Sequence, residues 1–265
     1  MSRKAPHGDD AAFPFTVEAI RTLPTLELSD GVTLLVGENG SGKSTLLEAL
    51  AQAARLPTVG AAESGADETL AAQRRLAGAL KLVWARRSHR GFFLRAEDFF
   101  GFQKRLVQLQ RELRTRIEEV DATYEGRSDL ARGLAKGPAA SSLADIARRY
   151  GEDPDARSHG EAFLNLFQER FVPGGLYLLD EPEAALSPQS QLGLLAMLLE
   201  MVQQDAQFVI ATHSPILLAF PGALIYSFDR LPVARAAYED LDHVRLTRDF
   251  LNDPERYLRR LRGGE

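Results

Sequence analysis

Three short stretches of this chain hold residue types and spacings able to do chemistry. Gly37-Glu38-Asn39-Gly40-Ser41-Gly42-Lys43-Ser44-Thr45 has the spacing G-x-x-x-x-G-K-[ST] of a phosphate-binding loop, the Walker A pattern. Its glycines let backbone N–H groups curl around an anion, and a helix N-terminus behind them adds positive dipole character. In such a loop Lys43 reaches the β- and γ-phosphates and the Ser44 hydroxyl is offered to Mg²⁺. Asn39, Gly40, Ser41, Gly42, Lys43, Ser44 and Thr45 are the candidate nucleotide contacts.

The second stretch, Leu176-Tyr177-Leu178-Leu179-Asp180-Glu181-Pro182, is an apolar run that ends in two acids. That is the Walker B arrangement, in which Asp180 holds Mg²⁺ directly or through water. Glu181, one residue on, is placed to polarise a water attacking a γ-phosphate. Two acids in a merely solvated turn fit poorly behind so apolar a run. The third stretch is Ile210-Ala211-Thr212-His213-Ser214-Pro215. A histidine directly after a buried strand can donate a hydrogen bond to the γ-phosphate and sense its loss. The candidate catalytic residues are Lys43, Glu181 and His213, and the candidate metal ligands are Ser44 and Asp180.

Such residues need a scaffold of strands that end together. Val32–Val36 reads as a buried strand before the glycine loop, and Leu46, Leu47 and Leu50 recur at helical spacing after it. Leu176–Leu179, Phe208–Ala211 and Leu224–Phe228 read as further buried strands. Upstream, Phe15–Ile20 and Leu26–Leu28 read as a short strand pair; Phe13 and Phe15 are core residues or adenine-stacking aromatics. A helix is expected near Glu68–Leu80, then a strand Lys81–Ala85 turning through Ser88–Gly91 into Phe92–Arg95 as a hairpin. Phe102–Asp121 is a helix with the stripe Leu106, Leu109, Leu113, Ile117 and Val120, too short for a persuasive coiled coil and better read as packing in a helical lobe. Its Arg105, Arg111, Arg114 and Arg116 are read as a solvated face. Thr123–Ser142, rich in Gly, Ala and Ser, reads as a mobile segment. Ser187 with Pro188, and Asp253 with Pro254, are helix starts, and Leu192, Leu195, Leu198, Leu199 and Val202 are expected to line the buried face of the helix after Ser187.

Composition narrows the class. The 265 residues carry 45% hydrophobic and 26% charged side chains, ordinary for a soluble globular protein. A formal net charge of −5 argues against a chain built mainly to coat DNA. With no cysteine, disulfides, thiol chemistry and Cys-ligated zinc are excluded. Met1–Asp10 lacks the apolar core of a signal peptide, and no stretch approaches the ~18 uninterrupted apolar residues of a membrane span. The expectation is a cytoplasmic protein without direct membrane insertion.

In their order, GENGSGKST, Ser158-His159-Gly160-Glu161, LLDEPEAALSP and ATHS resemble the ATP-binding-cassette ATPase superfamily, above all its small stand-alone soluble ATPases, often filed as AAA-family, which are similar to SMC, RecF-like and OLD-type ATPase heads. Gly91–Glu97 and Thr247–Leu251 add to the resemblance. It implies an α/β fold: a P-loop ATPase core with a mainly parallel sheet, an N-terminal antiparallel β portion and a helical sub-lobe. A single domain over 1–265 is expected, with 1–100 the β portion and P-loop, about 101–170 the helical lobe ending in the signature loop, and 171–265 the Walker B, switch-histidine and C-terminal portion. The resemblance also implies that ATP is sandwiched in a head-to-tail homodimer, with Ser158 and Gly160 contacting the γ-phosphate in trans and Mg²⁺ as cofactor. The signature departs from transporters, which have Gly-Gly-Gln where this chain has His159-Gly160-Glu161. The D-loop Ala185–Pro188 lacks the usual Asp, and only Glu97 or Gln103 stands near the place of a Q-loop glutamine.

Three functions remain open at this stage. The favoured one is a soluble dimerising ATPase acting as a mechanical switch on nucleic acid, a nuclease or another effector protein, in DNA-related or defence roles. The others are the nucleotide-binding subunit of a membrane transporter and a nucleotide-binding regulator without turnover, the last disfavoured by the presence of both Glu181 and His213.

Overall fold

Five consecutive buried residues, Val32-Thr33-Leu34-Leu35-Val36, form an interior strand of the sheet. A strand buried on both faces has no solvated side to keep polar, so it reads as a continuous apolar run. The computed structural model describes residues 1–3, 12–59, 71–150 and 159–262. In chain order its elements are β1 (Ser2–Arg3), α1 (Glu18–Arg21), β2 (Val32–Val36), α2 (Lys43–Ala54), β3 (Thr58–Val59), α3 (Ala71–Ala79), β4 (Leu80–Lys81), β5 (Gly91–Arg95), α4 (Ala96–Thr123), α5 (Asp129–Tyr150), α6 (His159–Arg170), β6 (Leu176–Asp180), a 3₁₀ turn (Pro182–Ala185), α7 (Pro188–Gln203), β7 (Gln207–Ala211), α8 (Pro215–Leu218), β8 (Leu224–Ser227), β9 (Ala234–Arg235), a second 3₁₀ turn (Tyr238–Asp240), α9 (Asp242–Asn252) and α10 (Pro254–Leu261).

Seven strands form one sheet in the order β3-β5-β6-β7-β2-β8-β9, parallel except at the β8–β9 edge. Alternation of side chains along the strands divides the core in two. Val32, Leu34, Val36, Tyr177, Leu179, Phe208 and Ile210 face α6 and α7 through Phe163, Phe167, Leu194 and Leu198. Leu35, Leu178, Val209 and Ala211 face α1 and α2 through Ile20, Leu46, Leu47 and Leu50. This two-sided cover is the expected α/β architecture with a mainly parallel sheet. No helix among the described residues is long and apolar enough to cross a membrane.

Several local expectations are corrected. Phe15–Ile20 and Leu26–Leu28 do not pair: Glu18–Arg21 is helical, and Ile20 and Leu26 are buried under α2 instead. The antiparallel pairing at this end is the short match of Ser2–Arg3 with Leu80–Lys81. The strand foreseen at Lys81–Ala85 stops at Lys81, and β4 and β5 make no hairpin; β5 runs parallel to both β3 and β6. Alternation within a short apolar run does not say which neighbour the strand takes. The start foreseen at Glu68 lies outside the described residues, and the helix is described from Ala71.

Thr123–Ser142 is helical from Asp129 despite Gly133, Gly137 and Pro138. Here tertiary packing overrides propensity: α5 folds back on α4, and Lys136 and Arg132 both pair with Asp121. The α4 stripe is buried at Leu106, half-buried at Leu113, Ile117 and Val120, and exposed at Leu109. On α7 the buried line is Leu194, Leu198 and Met201, while Leu192 is exposed. The helix starts stand as foreseen: Ser187 Oγ accepts from Ser190 N, and the Asp253 side chain accepts from Arg256 N.

Gly91 begins β5 with φ of +123°, and a Cβ there would lie 1.8 Å from the Leu176 carbonyl oxygen. Neither the backbone conformation nor the β5–β6 contact tolerates a side chain. Gly91→Ala is expected to lose about 3 kcal/mol, the upper end of ordinary single-substitution effects, read as a lower midpoint in urea unfolding.

Candidate functional site

The register of the parallel ladder gathers the site. Leu35 pairs with Ala211, and Ala211 with Asp180, so β2, β7 and β6 end on one row. The phosphate-loop sequence leaves β2 at this row, the two acids leave β6, and Thr212-His213-Ser214 leaves β7. In an open parallel sheet the crevice at the carboxyl ends of the strands is where ligands bind.

The loop after β2 turns sharply into α2. Gly42 caps the helix in a left-handed conformation with φ of +103°, and a Cβ there would strike Val17 Cγ1 at 2.9 Å. Asp229, just past β8, braces the loop by accepting from Glu38 N at 2.6 Å. Lys43 is buried and donates from Nζ to the carbonyls of Gly37 (2.5 Å) and Glu38 (3.0 Å). Burial lowers its pKa, an effect opposed by Glu181, Asp180, Asp229 and Glu183, whose negative charge favours the ammonium.

Ser44 Oγ donates to Asp180 Oδ1 at 3.0 Å, so the hydroxyl and the carboxylate proposed as metal ligands are in contact. Burial pushes the Asp180 carboxyl up to about 6, while Arg95 and the Ser44 hydrogen bond oppose the rise. Neutralising charge is therefore favourable beside Asp180, and two hard oxygens at this spacing suit Mg²⁺, which takes few protein ligands and completes its shell with phosphate oxygens and water. Among the described residues no group of three or more His, Cys, Asp and Glu is placed to hold a metal ion.

Glu181 is held left-handed, with φ of +51° and its N–H bonded to the Ala211 carbonyl at 2.9 Å. Non-glycine residues in this conformation store strain that functional sites often retain. It aims Glu181 at the β7 loop, where Oε1 lies 3.6 Å from His213 Nε2. The next residue but one, Glu183, accepts from Thr212 Oγ1 (2.7 Å), His213 N (2.5 Å) and Ser214 N (3.1 Å) through a single oxygen.

Lys43, Ser44, Asp180, Glu181 and His213 are thus brought to one place. Gly160 lies in the first turn of α6, where a Cβ would meet Ser190 Oγ at 3.2 Å and the Ala185 carbonyl at 3.6 Å. It therefore sits against the D-loop turn of its own chain. Ser158 lies outside the described residues. Phe15 is core, and Phe13 is 48% exposed.

Sequence reasoning assigned no role to Arg95, Glu48, Glu183, Asp229 or His243. Arg95 ends β5 opposite Asp180 in the ladder and bonds both Glu48 (2.6 Å) and Asp180 (3.4 Å). Glu48 follows Ser44 by one helical turn, a spacing that marks the same face. The side chain reaching Asp180 from this edge is Arg95; Glu97 is exposed in the first turn of α4 and Gln103 is buried further along it. His243, at the start of α9, has its ring 6.5 Å from that of His213. Burial and the nearby His213 lower its pKa. An acid directly after an apolar strand was a usable signal for Asp229; His243 left none.

Parts of the chain match families of known proteins. Residues 18–55 match the family described as "AAA domain", and residues 162–219 the family described as "AAA domain, putative AbiEii toxin, Type IV TA system". Over 183 residues the chain is 30% identical to the macrolide export ATP-binding/permease protein MacB of Pectobacterium atrosepticum, covering 68% of this chain and 25% of that protein. The chain thus spans about a quarter of the length of that relative. A nucleotide-free ATP-binding cassette from an ABC transporter superposes with a TM-score of 0.42 at 18% identity, covering 87% of this chain and 88% of that one. For the Pyrococcus furiosus Smc head domain with an extended coiled coil, bound to the C-terminal domain of ScpA, the TM-score is 0.39 at 12% identity, with 85% and 94% covered.

A parallel sheet with a phosphate loop, a strand-end acid pair and a strand-end histidine on one row has the architecture of a P-loop nucleotide-binding fold. In its ordered motifs and in these matches the chain is similar to ATPases of the ATP-binding-cassette superfamily.

Arg95→Gln leaves the Glu48 carboxylate, only 9% exposed, without its cation. A loss of about 2 kcal/mol is expected from stranding a buried acceptor. Denaturant titration of the two proteins reads it directly, and an unchanged midpoint would show that the ion pair contributes nothing net.

Proposed function

We propose that this chain binds Mg-ATP at the Lys43–Asp180–His213 row and hydrolyses it in a head-to-tail homodimer that acts as a mechanical switch. The observation that carries the reading is the meeting of Ser44 with Asp180 at 3.0 Å and of Glu181 with His213 at 3.6 Å on the same sheet edge. Asn39 to Thr45 wrap the phosphates. Lys43 exchanges its loop carbonyls for β- and γ-phosphate oxygens, which offsets its desolvation with negative charge. Ser44 and Asp180 hold Mg²⁺, which neutralises charge on the phosphates when bound. Glu181 takes the proton of the attacking water as the new bond to phosphorus forms and the bond to the bridging oxygen breaks, giving ADP and phosphate. His213 donates from its ring to the terminal phosphate. In this reading the chain is one ATPase domain, and Ser158 and Gly160 of the signature sequence complete the partner's site.

The partner driven by the switch is nucleic acid or an effector protein, by the resemblance of the motifs to SMC, RecF-like and OLD-type heads. A second reading, a transporter's nucleotide-binding subunit, is favoured by the likeness to the export protein MacB. Co-purification of a multispanning partner from membranes would decide for it.

Glu181→Gln should lower turnover by roughly 10²–10⁴-fold, the usual worth of a positioned general base. Binding should survive, so light scattering with ATP should show a persistent dimer. Turnover equal to the parent's would assign water activation to another residue.

Lys43→Ala and Ser158→Arg damage opposite halves of each composite site. Each protein alone should be inactive, with Lys43→Ala also losing nucleotide affinity in calorimetry. Mixed, they form a heterodimer in which one site carries both lesions and the other neither, so hydrolysis should reappear. A fully active Ser158→Arg monomer would exclude the sandwich.

A further inference from the structure

Glu183 is unlike the acids around it. Its Oε1 accepts from Thr212 Oγ1 at 2.7 Å, His213 N at 2.5 Å and Ser214 N at 3.1 Å, so three donors of one three-residue loop converge on one carboxylate oxygen. Charge-assisted bonds of this kind are about twice as strong as neutral ones and fix direction as well as distance. The loop is tied at its far side too: Ser214 Oγ bonds the Gln191 side chain at 2.5 Å, and Gln191 Nε2 donates to the Leu186 carbonyl at 3.1 Å.

We propose that Glu183 is the positioning residue of the catalytic edge, clamping the Thr212–Ser214 backbone so that the His213 ring stands between Glu181 and the terminal phosphate. The chain path requires such a clamp. His213 is the second residue past the end of β7, beyond the last ladder bond, and its ring Nε2 makes no hydrogen bond among the described residues. The ring's neighbours are the Glu181 carboxylate at 3.6 Å and the His243 ring at 6.5 Å, while the hydrogen bonds that hold this residue run through its backbone N–H. Glu183 belongs to the 3₁₀ turn that starts immediately after Glu181. One rigid turn therefore carries the Glu181 carboxylate and, two residues later, the anchor for the histidine that faces it. The 3.6 Å separation of Glu181 and His213 follows from that shared mounting. Glu183 acts through His213 and touches no substrate.

This inference rests on the proposed role of His213, and the experiment separates the two. Steady-state ATP hydrolysis is measured for Glu183→Ala, Glu183→Gln, His213→Ala and the double variant Glu183→Ala/His213→Ala, with ATP affinity from a fluorescent analogue as a check on folding. Misplacing a catalytic group by about 1 Å costs on the order of 10²-fold, so Glu183→Ala should lose that much in kcat with KM nearly unchanged. Glu183→Gln keeps an acceptor oxygen and should recover part of the loss. In the His213→Ala background, Glu183→Ala should cost little more, because the group it positions is already gone. Losses that multiply in the double variant, or a raised KM at constant kcat, would overturn the positioning role while leaving the His213 assignment in place. A fully active His213→Ala would overturn the His213 assignment and the clamp with it.

Discussion

Parallel pairing of β2, β7 and β6 at a fixed register is the constraint on which everything else depends. Because Leu35, Ala211 and Asp180 share a row, three unrelated loops leave the sheet side by side. Burial on both faces holds that register, since a one-residue slip would exchange the side chains facing α6 and α7 for those facing α1 and α2. The apolar strands thus do more than fill the core. They set the spacing between a lysine, two acids and a histidine that lie far apart in the chain.

Around that row the electrostatics are unbalanced toward the negative. Asp180, Glu181, Glu183 and Asp229 all act on Lys43, and Asp180 carries the added cost of burial. Arg95 compensates in part, reaching Glu48 and Asp180 from the neighbouring strand. Such an edge is suited to receive a phosphate chain together with a cation, because the cation relieves the carboxylates while the lysine and the backbone N–H groups meet the phosphates.

Long buried strands and the chemical motifs were legible because each is local. β2, β6, β7 and β8 announce themselves by unbroken apolar runs, and the phosphate loop by glycine spacing. What stayed hidden depends on partners chosen across the fold. Ile20 and Leu26 sit under α2 without forming strands, β5 pairs with β6 where a hairpin with the preceding segment was expected, and Asp129–Tyr150 is helical through Gly137 and Pro138 because α4 lies beside it. Arg95 belongs to the same category: its role appears only when the ladder sets it opposite Asp180.

Glu183 shows how the two kinds of information meet. In the sequence it is one more acid after Asp180-Glu181-Pro182, indistinguishable from a solvated turn residue. In the fold the left-handed turn at Glu181 reverses the chain, and Glu183 comes to rest under the loop leaving β7. The strain at Glu181 and the three bonds at Glu183 then oppose each other within one short turn. A backbone held against its preference needs such anchors on both sides: here the Glu181 N–H bonds the Ala211 carbonyl, and Glu183 holds the residues just beyond it. The catalytic acid and the histidine are thereby fixed to the same strand end, and a displacement of either is transmitted to the other through the backbone.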